Sequence, residues 1–376
     1  MSIIIGADIV PSANNFDLFK DGNVAALIGD DLLKIISDAD FRVFNLEAPL
    51  TDVVSPIDKC GRTLYAESSC IKAIKRIGAN LMTLANNHIM DQGEQGLLST
   101  INLLEENAIS FLGAGNDLVE AQRSFVTFIK NKKIGFYACA EHEFSIAEEC
   151  APGANPFDAL ISFDHVAELS KTCDYTVVLY HGGKEHYQYP SPVLQRVCRK
   201  FVNRGANLVV CQHSHCIGCE EKYEKGTIVY GQGNFIFDSN KGPFSSTSLL
   251  IKINDDFSVE YLPLVKAERG VRFATGEIAN NILSAFQKRC DQMKIKGFVR
   301  REYDKIAKKE LNGYLLTYMG YNHRPFLRFF NKLSGYRLSK WIVKAYKKKD
   351  LLAIRNSIEC ESHREMFLTA IKKLWI

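Results

Sequence analysis

The sequence predicts an α/β layered fold over residues 1–270, followed by a helical extension over residues 271–376. Short β-rich runs alternate with longer helical patterns through most of the first part, and such alternation is typical of sheets covered by helices. Residues 245–265 then alternate polar and apolar side chains around a turn at 254–256, which predicts a β-hairpin. After this hairpin the pattern becomes helical and basic, which indicates a second domain.

The strands of the first part are predicted from runs rich in apolar and β-branched residues. They are Ile3–Ile5, Phe41–Leu46, Leu81–Leu84, Lys133–Cys139, Tyr175–Tyr180, Leu208–Cys211 and Thr227–Tyr230. Helical periodicity fills several of the intervals, at Glu67–Gly78, Gln95–Glu106 and Pro192–Arg204. Gly78, Asn107 and Gly205 stand at positions where helices commonly stop.

Charge is distributed unevenly along the 376-residue chain, whose net charge is only +4. Residues 281–376 carry 22 Lys and Arg against 8 Asp and Glu, whereas residues 1–280 carry 25 against 35. The basic tail contains Lys347–Lys349 and two aromatic-basic runs, Phe326–Phe330 and Trp341–Tyr346. Such a tail is either a helical cap whose aromatics pack inward or a contact for an anionic partner. A membrane surface or a synthesis complex fits the second case, whereas nucleic acid is disfavoured because no nucleic-acid-binding motif is present.

Cysteine usage and the N-terminus favour a reduced, cytoplasmic protein. The eleven cysteines are odd in number and mostly stand inside apolar runs, a usage typical of free thiols rather than of a secreted disulfide framework. The first residues carry no basic leader, and no segment approaches about 18 consecutive apolar residues. We therefore expect a cytoplasmic location, with peripheral attachment to the inner membrane face left open.

Metal-capable side chains follow the predicted strands at five places. They are Asp8; Asn45 and Glu47; Asn87, His88 and Asp91; His181; and His213 with His215. A single strand-end aspartate is more often a turn residue, and a single histidine more often packs or faces solvent. The combined pattern is more specific, because ligand sites of layered α/β folds collect at the carboxyl ends of strands.

Oxygen and imidazole ligands of this kind suit divalent Mn, Fe, Zn or Mg. A carboxylate such as Glu47 can bridge two ions, and two ions about 3.5–4 Å apart can activate a water and stabilise an in-line displacement. The sequence therefore predicts a divalent metal site, with two ions as its full complement.

Six motifs in this order resemble the CapA, or poly-γ-glutamate synthesis, family. They are Asp8; Asn45-Leu46-Glu47; Asn86-Asn87-His88 with Asp91; His181-Gly182-Gly183-Lys184-Glu185; Gln212-His213-Ser214-His215; and Tyr230-Gly231-Gln232-Gly233-Asn234-Phe235. The resemblance covers about residues 3–240. That family is similar to the calcineurin-like metallophosphoesterases, which implies a four-layer β-sandwich flanked by helices.

The resemblance also implies roles for individual residues. Asp8, Glu47 and His215 would hold one ion, with Glu47 bridging, and Asn87, His181 and His213 would complete the second site. His88 would protonate the leaving group or steady the transition state, and Asp91 would orient His88. The residues that would line the substrate side are Asn45, Glu185 and Asn234. One departure is Val10, which stands where the phosphoesterases have a metal-binding histidine.

These roles imply a metal-dependent hydrolase of the phosphoesterase type, involved in the synthesis or release of an anionic capsule polymer such as poly-γ-glutamate or a polysaccharide. Its substrate would be that anionic polymer or a phosphorylated compound. The alternative is a non-catalytic assembly factor that uses the same pocket to bind polymer, and the absent motif-one histidine favours it. Histidines outside the motifs, including His165 and His186, lack matching partners and are predicted to pack or to face solvent.

Overall fold

The computed structural model describes residues 1–237, 244–321 and 324–374. Its strands are β1 (Ile3–Val10), β2 (Phe41–Leu46), β3 (Leu81–Thr83), β4 (Ser110–Leu112), β5 (Ala114–Gly115), β6 (Phe125–Ile129), β7 (Lys132–Ala140), β8 (Gly153–Ala154), β9 (Tyr175–His181), β10 (Leu208–Gln212), β11 (Glu220–Tyr223), β12 (Gly226–Tyr230), β13 (Asn234–Phe237), β14 (Thr247–Ile253), β15 (Val259–Lys266) and β16 (Val271–Phe273). The predicted hairpin is the antiparallel pair β14–β15.

The helices lie between these strands in the first part of the chain and follow one another in the last part. They are α1 (Phe16–Asp21), α2 (Val24–Ile28), α3 (Asp30–Ser37), α4 (Ile71–Ile77), α5 (Gly93–Glu106), α6 (Leu118–Ala121), α7 (Ser162–Thr172), α8 (Pro192–Asn203), α9 (Gly276–Met293), α10 (Phe298–Tyr318), α11 (Pro325–Leu333), α12 (Arg337–Ala345), α13 (Lys348–Glu359) and α14 (Glu361–Leu374).

Two sheets form the body of the first part. One has the strand order β16-β15-β14-β1-β2-β3-β4, and β13 pairs in parallel with the end of β1. The other has the order β11-β12-β10-β9-β7-β6. Strands β1 to β4 are mutually parallel, as are β7, β9, β10 and β12. Each sheet therefore has an edge where several carboxyl ends lie side by side.

Alternation along the strands creates four layers. Side chains such as Ile3 and Val177 lie in an apolar core built from both sheets. Their strand neighbours point outward, where Ile4 packs in a second core with helices α1 to α5 and Val178 packs in a third with α7, α8 and α9. Because successive strand residues face opposite sides, each sheet has one face against the other sheet and one against helices. The predicted four-layer α/β sandwich is confirmed.

The described chain divides into two compact units, Met1–Arg300 and Arg301–Ile376. The first unit includes α9, whose Ile282 and Phe286 are buried in its third core, so it extends beyond residue 270. The assignment of the two parts as functional domains remains a prediction. The second unit is helical, and among the described residues no helix is long and apolar enough to span a bilayer.

Candidate metal centre

The first acidic side chain of the site, Asp8, lies on β1 where the pairing of this strand is irregular. Its register with β2 shifts between Ile5 and Asp8, and its register with β13 shifts directly after Asp8. Asn45 of β2 donates from Nδ2 to Asp8 Oδ1 at 2.8 Å. The other oxygen, Oδ2, lies 3.5 Å from Nδ1 of His215. The two oxygens of Asp8 therefore have different surroundings.

Glu47, the residue after β2, is a fully buried carboxylate. Neither of its oxygens has a hydrogen-bond partner among the described residues, and the same holds for Asp8 Oδ2. Glu47 Oε1 lies 3.3 Å from Nε2 of His181 and 4.0 Å from Nε2 of His215. Burying a carboxylate without donors is unfavourable unless a cation or a proton accompanies it. These oxygens therefore fit a metal ion.

Electron-pair donors converge on Nε2 of His181, the last residue of β9. Asn87 Oδ1 lies 3.1 Å from this nitrogen, and His213 Nδ1 lies 3.2 Å from it. The amide of Asn87 is turned this way because its Nδ2 donates to the Glu143 carboxylate at 3.0 Å. One cation could replace the proton that these atoms now share.

The His215 ring has its two nitrogens in different surroundings. Nδ1 lies 2.8 Å from Asn234 Oδ1, and since an amide oxygen only accepts, Nδ1 is the donor. Nε2 is directed toward Glu47. Histidines that bind metals commonly donate their other ring nitrogen to an oxygen in this way, so Asn234 orients His215 for an ion on the Nε2 side.

The loop after β10 holds its histidines in an uncommon backbone conformation. His213 has φ of 83° and His215 has φ of 52°, both in the left-handed region. Residues other than glycine enter this region at a cost that surrounding structure must sustain, and such residues cluster at functional sites. Beside the loop stands Gly231, with φ of 120°, where an added Cβ would lie 2.8 Å from the carbonyl oxygen of Cys216. The glycine allows the loop to lie close to the connection between β12 and β13.

The ligand atoms form two overlapping groups that share Glu47. We call Asp8, Glu47 and His215 the Asp8 group, and Glu47, His181 and His213, together with Asn87, the His213 group. In each, the carboxylate and histidine atoms lie within 4.8 Å of one another. This set of carboxylate, imidazole and amide donors suits Mn, Fe or Zn. The structure thus brings all six predicted ligands together, while their binding of metal remains a prediction.

Burial and charge set the protonation of the two groups. Burial, and then the negative charge of Asp8, raises the pKa of Glu47 to about 8. Burial lowers the pKa of His181 to about 4 and places that of His213 well below its usual range. Burial also opposes a charge on His215, but Glu47 and Asp8 outweigh it and raise its pKa to about 10. The His213 group therefore has neutral imidazoles at neutral pH, whereas the Asp8 group holds a proton on His215.

His88 stands next to ligand Asn87, and Asp91 holds its ring. His88 Nδ1 lies 2.5 Å from Asp91 Oδ2. Asp91 in turn pairs with the buried Lys59, whose Nζ lies 2.7 Å from Oδ1 and also donates to the Asn87 carbonyl at 2.8 Å. With Nδ1 engaged, Nε2 is the nitrogen available for proton exchange. The geometry supports the orienting role of Asp91, and the catalytic role of His88 remains a prediction.

The three predicted substrate-side residues have different surroundings. Asn45 is fully buried and contacts both Asp8 and the His181 ring, whose Nδ1 lies 3.4 Å from Asn45 Nδ2. Asn234 is buried beside His215. Glu185 is exposed, and its negative charge contributes to the raised pKa of Glu47, after burial and the charge of Asp8. Substrate contact by all three remains a prediction.

Two side chains of the site gave no signal in the sequence. Lys59 comes from the irregular segment between β2 and α4, and Glu143 comes from the loop after β7. Neither belongs to a motif with ligand spacing, and both reach the site because of loop paths that periodicity does not predict.

The position that lacks the phosphoesterase histidine is apolar. Val10 is buried, and its strand partner on β13 is Phe237. The Phe237 ring packs edge-on against His215, with 5.2 Å between ring centroids. Consequently the Asp8 group receives no ligand from this position.

Known proteins similar to this chain include a bacterial capsule synthesis family and its relatives from Bacillus. A family model described as "Bacterial capsule synthesis protein PGA_cap" matches residues 8–239. The capsule biosynthesis protein CapA of Bacillus anthracis is 26% identical over 259 residues, which cover 65% of this chain and 63% of that protein. The PGA biosynthesis protein CapA of Bacillus subtilis is 27% identical over 210 residues, covering 54% of this chain and 55% of that protein. The chain thus spans 55–63% of the length of these relatives.

A solved phosphatase structure from Mycoplasma pneumoniae is a distant structural neighbour. It has a TM-score of 0.44 at 16% identity, covering 70% of this chain and 93% of that one. Similarity at this level carries no argument about activity.

Proposed function

The chain belongs to the bacterial capsule synthesis protein PGA_cap family, and on that premise we propose that it is a metal-dependent hydrolase of the phosphoesterase type. Its place would be the synthesis or release of an anionic exopolymer, such as poly-γ-glutamate or a polysaccharide. The observation that carries the proposal is a set of three buried carboxylate oxygens on Asp8 and Glu47 that have no hydrogen-bond partner among the described residues and lie beside three histidines.

Two divalent ions bound at these groups would supply an activated water and offset the negative charge that develops at a phosphoryl centre. The residues of the chain then have separate tasks. Glu47 spans both groups, and Asn234 and Glu143 orient His215 and Asn87. His88 donates a proton to the leaving group from Nε2, since Asp91 holds its Nδ1.

One structural feature favours the alternative, a non-catalytic factor that binds polymer. The apolar Val10 leaves the Asp8 group one imidazole short of the phosphoesterase pattern. Against this reading, the His88–Asp91–Lys59 chain has no use in a simple binding pocket. Metal content separates the two hypotheses.

The test begins with elemental analysis of untagged protein, wild type beside Glu47→Ala. The proposal expects about two ions per chain in the wild type, lost in the variant, together with Mn-dependent hydrolysis of generic phosphomonoesters or phosphodiesters. His88→Ala should keep its metal and lose turnover by ~10²–10⁴-fold, the usual contribution of a general acid. A wild-type protein that binds no ion and stays inactive with added Mn would contradict the hydrolase proposal and favour the polymer-binding alternative.

The second unit has the composition of a surface that contacts anions. Residues 301–376 carry 17 Lys and Arg against 7 Asp and Glu, and Phe326, Phe329 and Trp341 of its helices are mostly exposed. Basic helices with exposed aromatics bind anionic lipid surfaces. We therefore propose peripheral membrane contact through this unit. Co-sedimentation of the full chain with phosphatidylglycerol vesicles, but not with phosphatidylcholine vesicles, tests it, and equal recovery with both would contradict it.

A further inference from the structure

His186 is a histidine that the mechanism above does not use. It lies five residues beyond His181, in the segment between β9 and α8. Its backbone N–H donates to the carbonyl of Ser214 at 2.8 Å, and Ser214 separates the ligands His213 and His215. The segment that carries His186 is thus fastened directly to the ligand loop.

The conformation of His186 matches that of the ligand histidines beside it. Its φ is 56°, in the same left-handed region as His213 and His215. Three histidines near one another have this conformation, which non-glycine residues rarely adopt without a constraint from the surrounding structure.

The His186 ring lies beside that of His215, although among the described residues no His186 nitrogen belongs to the groups of ligand atoms that lie within 4.8 Å of one another. The centroids of these two rings are 6.1 Å apart. A coordinating nitrogen lies about 2.0–2.1 Å from zinc, so two imidazoles on one ion can have centroids up to ~6.4 Å apart, the larger values belonging to wide ligand angles. In addition, Nδ1 of His186 is buried and has no hydrogen-bond partner among the residues that the structure describes.

We propose that the His186 side chain turns toward the Asp8 group when an ion binds there, becomes an additional ligand of that ion, and supplies the imidazole that Val10 does not. The inference rests on the proposed metal centre. The proposed coordination needs no unusual chemistry. A ring nitrogen of His186 would donate its electron pair in place of the histidine that the phosphoesterases have at the position of Val10. The ligand count of the Asp8 group then rises from three to four, a normal number for a protein-bound divalent ion.

The test is Mn²⁺ and Zn²⁺ titration of the metal-stripped full chain by calorimetry, with Mn²⁺ stoichiometry checked by electron paramagnetic resonance. His186→Ala should weaken one of the two binding steps by ~10–100-fold. Losses of this size in metal affinity are usual when a residue that supports a metal ligand is removed. His165→Ala is the matched control, because His165 is also half-buried with a buried, unpaired Nδ1 but packs against Tyr137. This control should bind both ions as the wild type does.

Double variants identify the ion that is affected. In a His213→Ala background, His186→Ala should weaken the remaining binding step by the same factor, whereas in a His215→Ala background it should change little. Wild-type affinity for both ions in His186→Ala would overturn the proposal, and so would an effect on KM alone. A wild type that binds no metal would instead defeat the proposed metal centre itself, so the two failures are distinguishable. Thermal unfolding in chelator shows whether the variants fold.

Discussion

The two ligand groups differ in how closely their atoms are assembled before any ion arrives. In the His213 group, Nε2 of His181 has three donor atoms 3.1, 3.2 and 3.3 Å away. In the Asp8 group, Nε2 of His215 lies 4.0 Å from Glu47, and the 3.5 Å contact with Asp8 is made by the other ring nitrogen, Nδ1. The atoms of the His213 group are therefore already close enough together to bind an ion, whereas those of the Asp8 group must move closer together when an ion binds. Since preorganised sites lose less free energy on binding, the His213 group should fill first.

The largest expected effect comes from removing what the groups share. Glu47→Gln keeps the shape of the side chain but replaces an anionic oxygen that both groups use. We expect both ions to bind more weakly by at least ~100-fold, the upper range for residues that only support ligands. Elemental analysis after dialysis measures the loss. Retention of one ion would mean that Glu47 serves a single group.

The next effect separates the groups from each other. His213→Ala should lose the tighter ion and keep the weaker one, and His215→Ala should do the reverse, because each histidine belongs to one group. Calorimetric titration with Mn²⁺ distinguishes the two, since the surviving step has a different affinity in each variant. Each variant is the control for the other, and identical titrations would contradict the assignment of separate groups.

Acidity should affect the two groups unequally. Below its pKa of about 10, His215 holds a proton that an ion must displace, so affinity of the Asp8 group should rise by up to about tenfold per pH unit. His181, with a pKa of about 4, is already neutral above pH 5, so the first ion at the His213 group displaces only the proton that Glu47 holds below its pKa of about 8. Titration between pH 6 and about 9 in buffers of different ionisation enthalpy measures the released protons. Equal proton release in both steps at about pH 9, where Glu47 is ionised and His215 is not yet neutral, would refute this difference.

The smallest expected effect is a gain. Val10→His places an imidazole at the strand position where the phosphoesterase pattern has one, and the Asp8 group should bind its ion up to ~10-fold more tightly. Val10→Leu is the control, because it changes the size of this buried side chain without adding a ligand. A weaker Asp8 group in Val10→His, with intact folding, would show that Val10 and Phe237 shape a pocket for another purpose.

Much of this arrangement could be predicted from the sequence because the ligands stand at the ends of strands. Asp8, Glu47 and His181 follow apolar runs of clear strand character, and parallel strand ends meet at one edge. The α/β layering followed from the alternation of predicted strands and helices, whereas the four-layer sandwich followed from the family resemblance. The burial of Asn45 and its hydrogen bond to Asp8 could not be predicted, because they depend on the irregular register between β1 and β2.

Loop residues escaped prediction for a different reason. Lys59, Glu143 and His186 lie in irregular segments, and backbone choices such as the left-handed φ of His186 decide where their side chains go. No period in a sequence encodes such a choice. His186 was therefore predicted to pack or to face solvent, and only the structure shows its backbone bond to the Ser214 carbonyl.

Both ligand groups take side chains from both sheets, with Asp8, Glu47 and Asn87 following strands of one and the three histidines following strands of the other. Bound ions would therefore cross-link the two sheets, in addition to the direct hydrogen bond from Gln212 Nε2 to the Gly6 carbonyl at 3.1 Å. Removal of the ions by a chelator would then remove this cross-link between the two sheets. If the ions are bound as proposed, chelation should speed the exchange of amide hydrogens near the ends of β9 and β10 more than that of amide hydrogens at the centres of these strands.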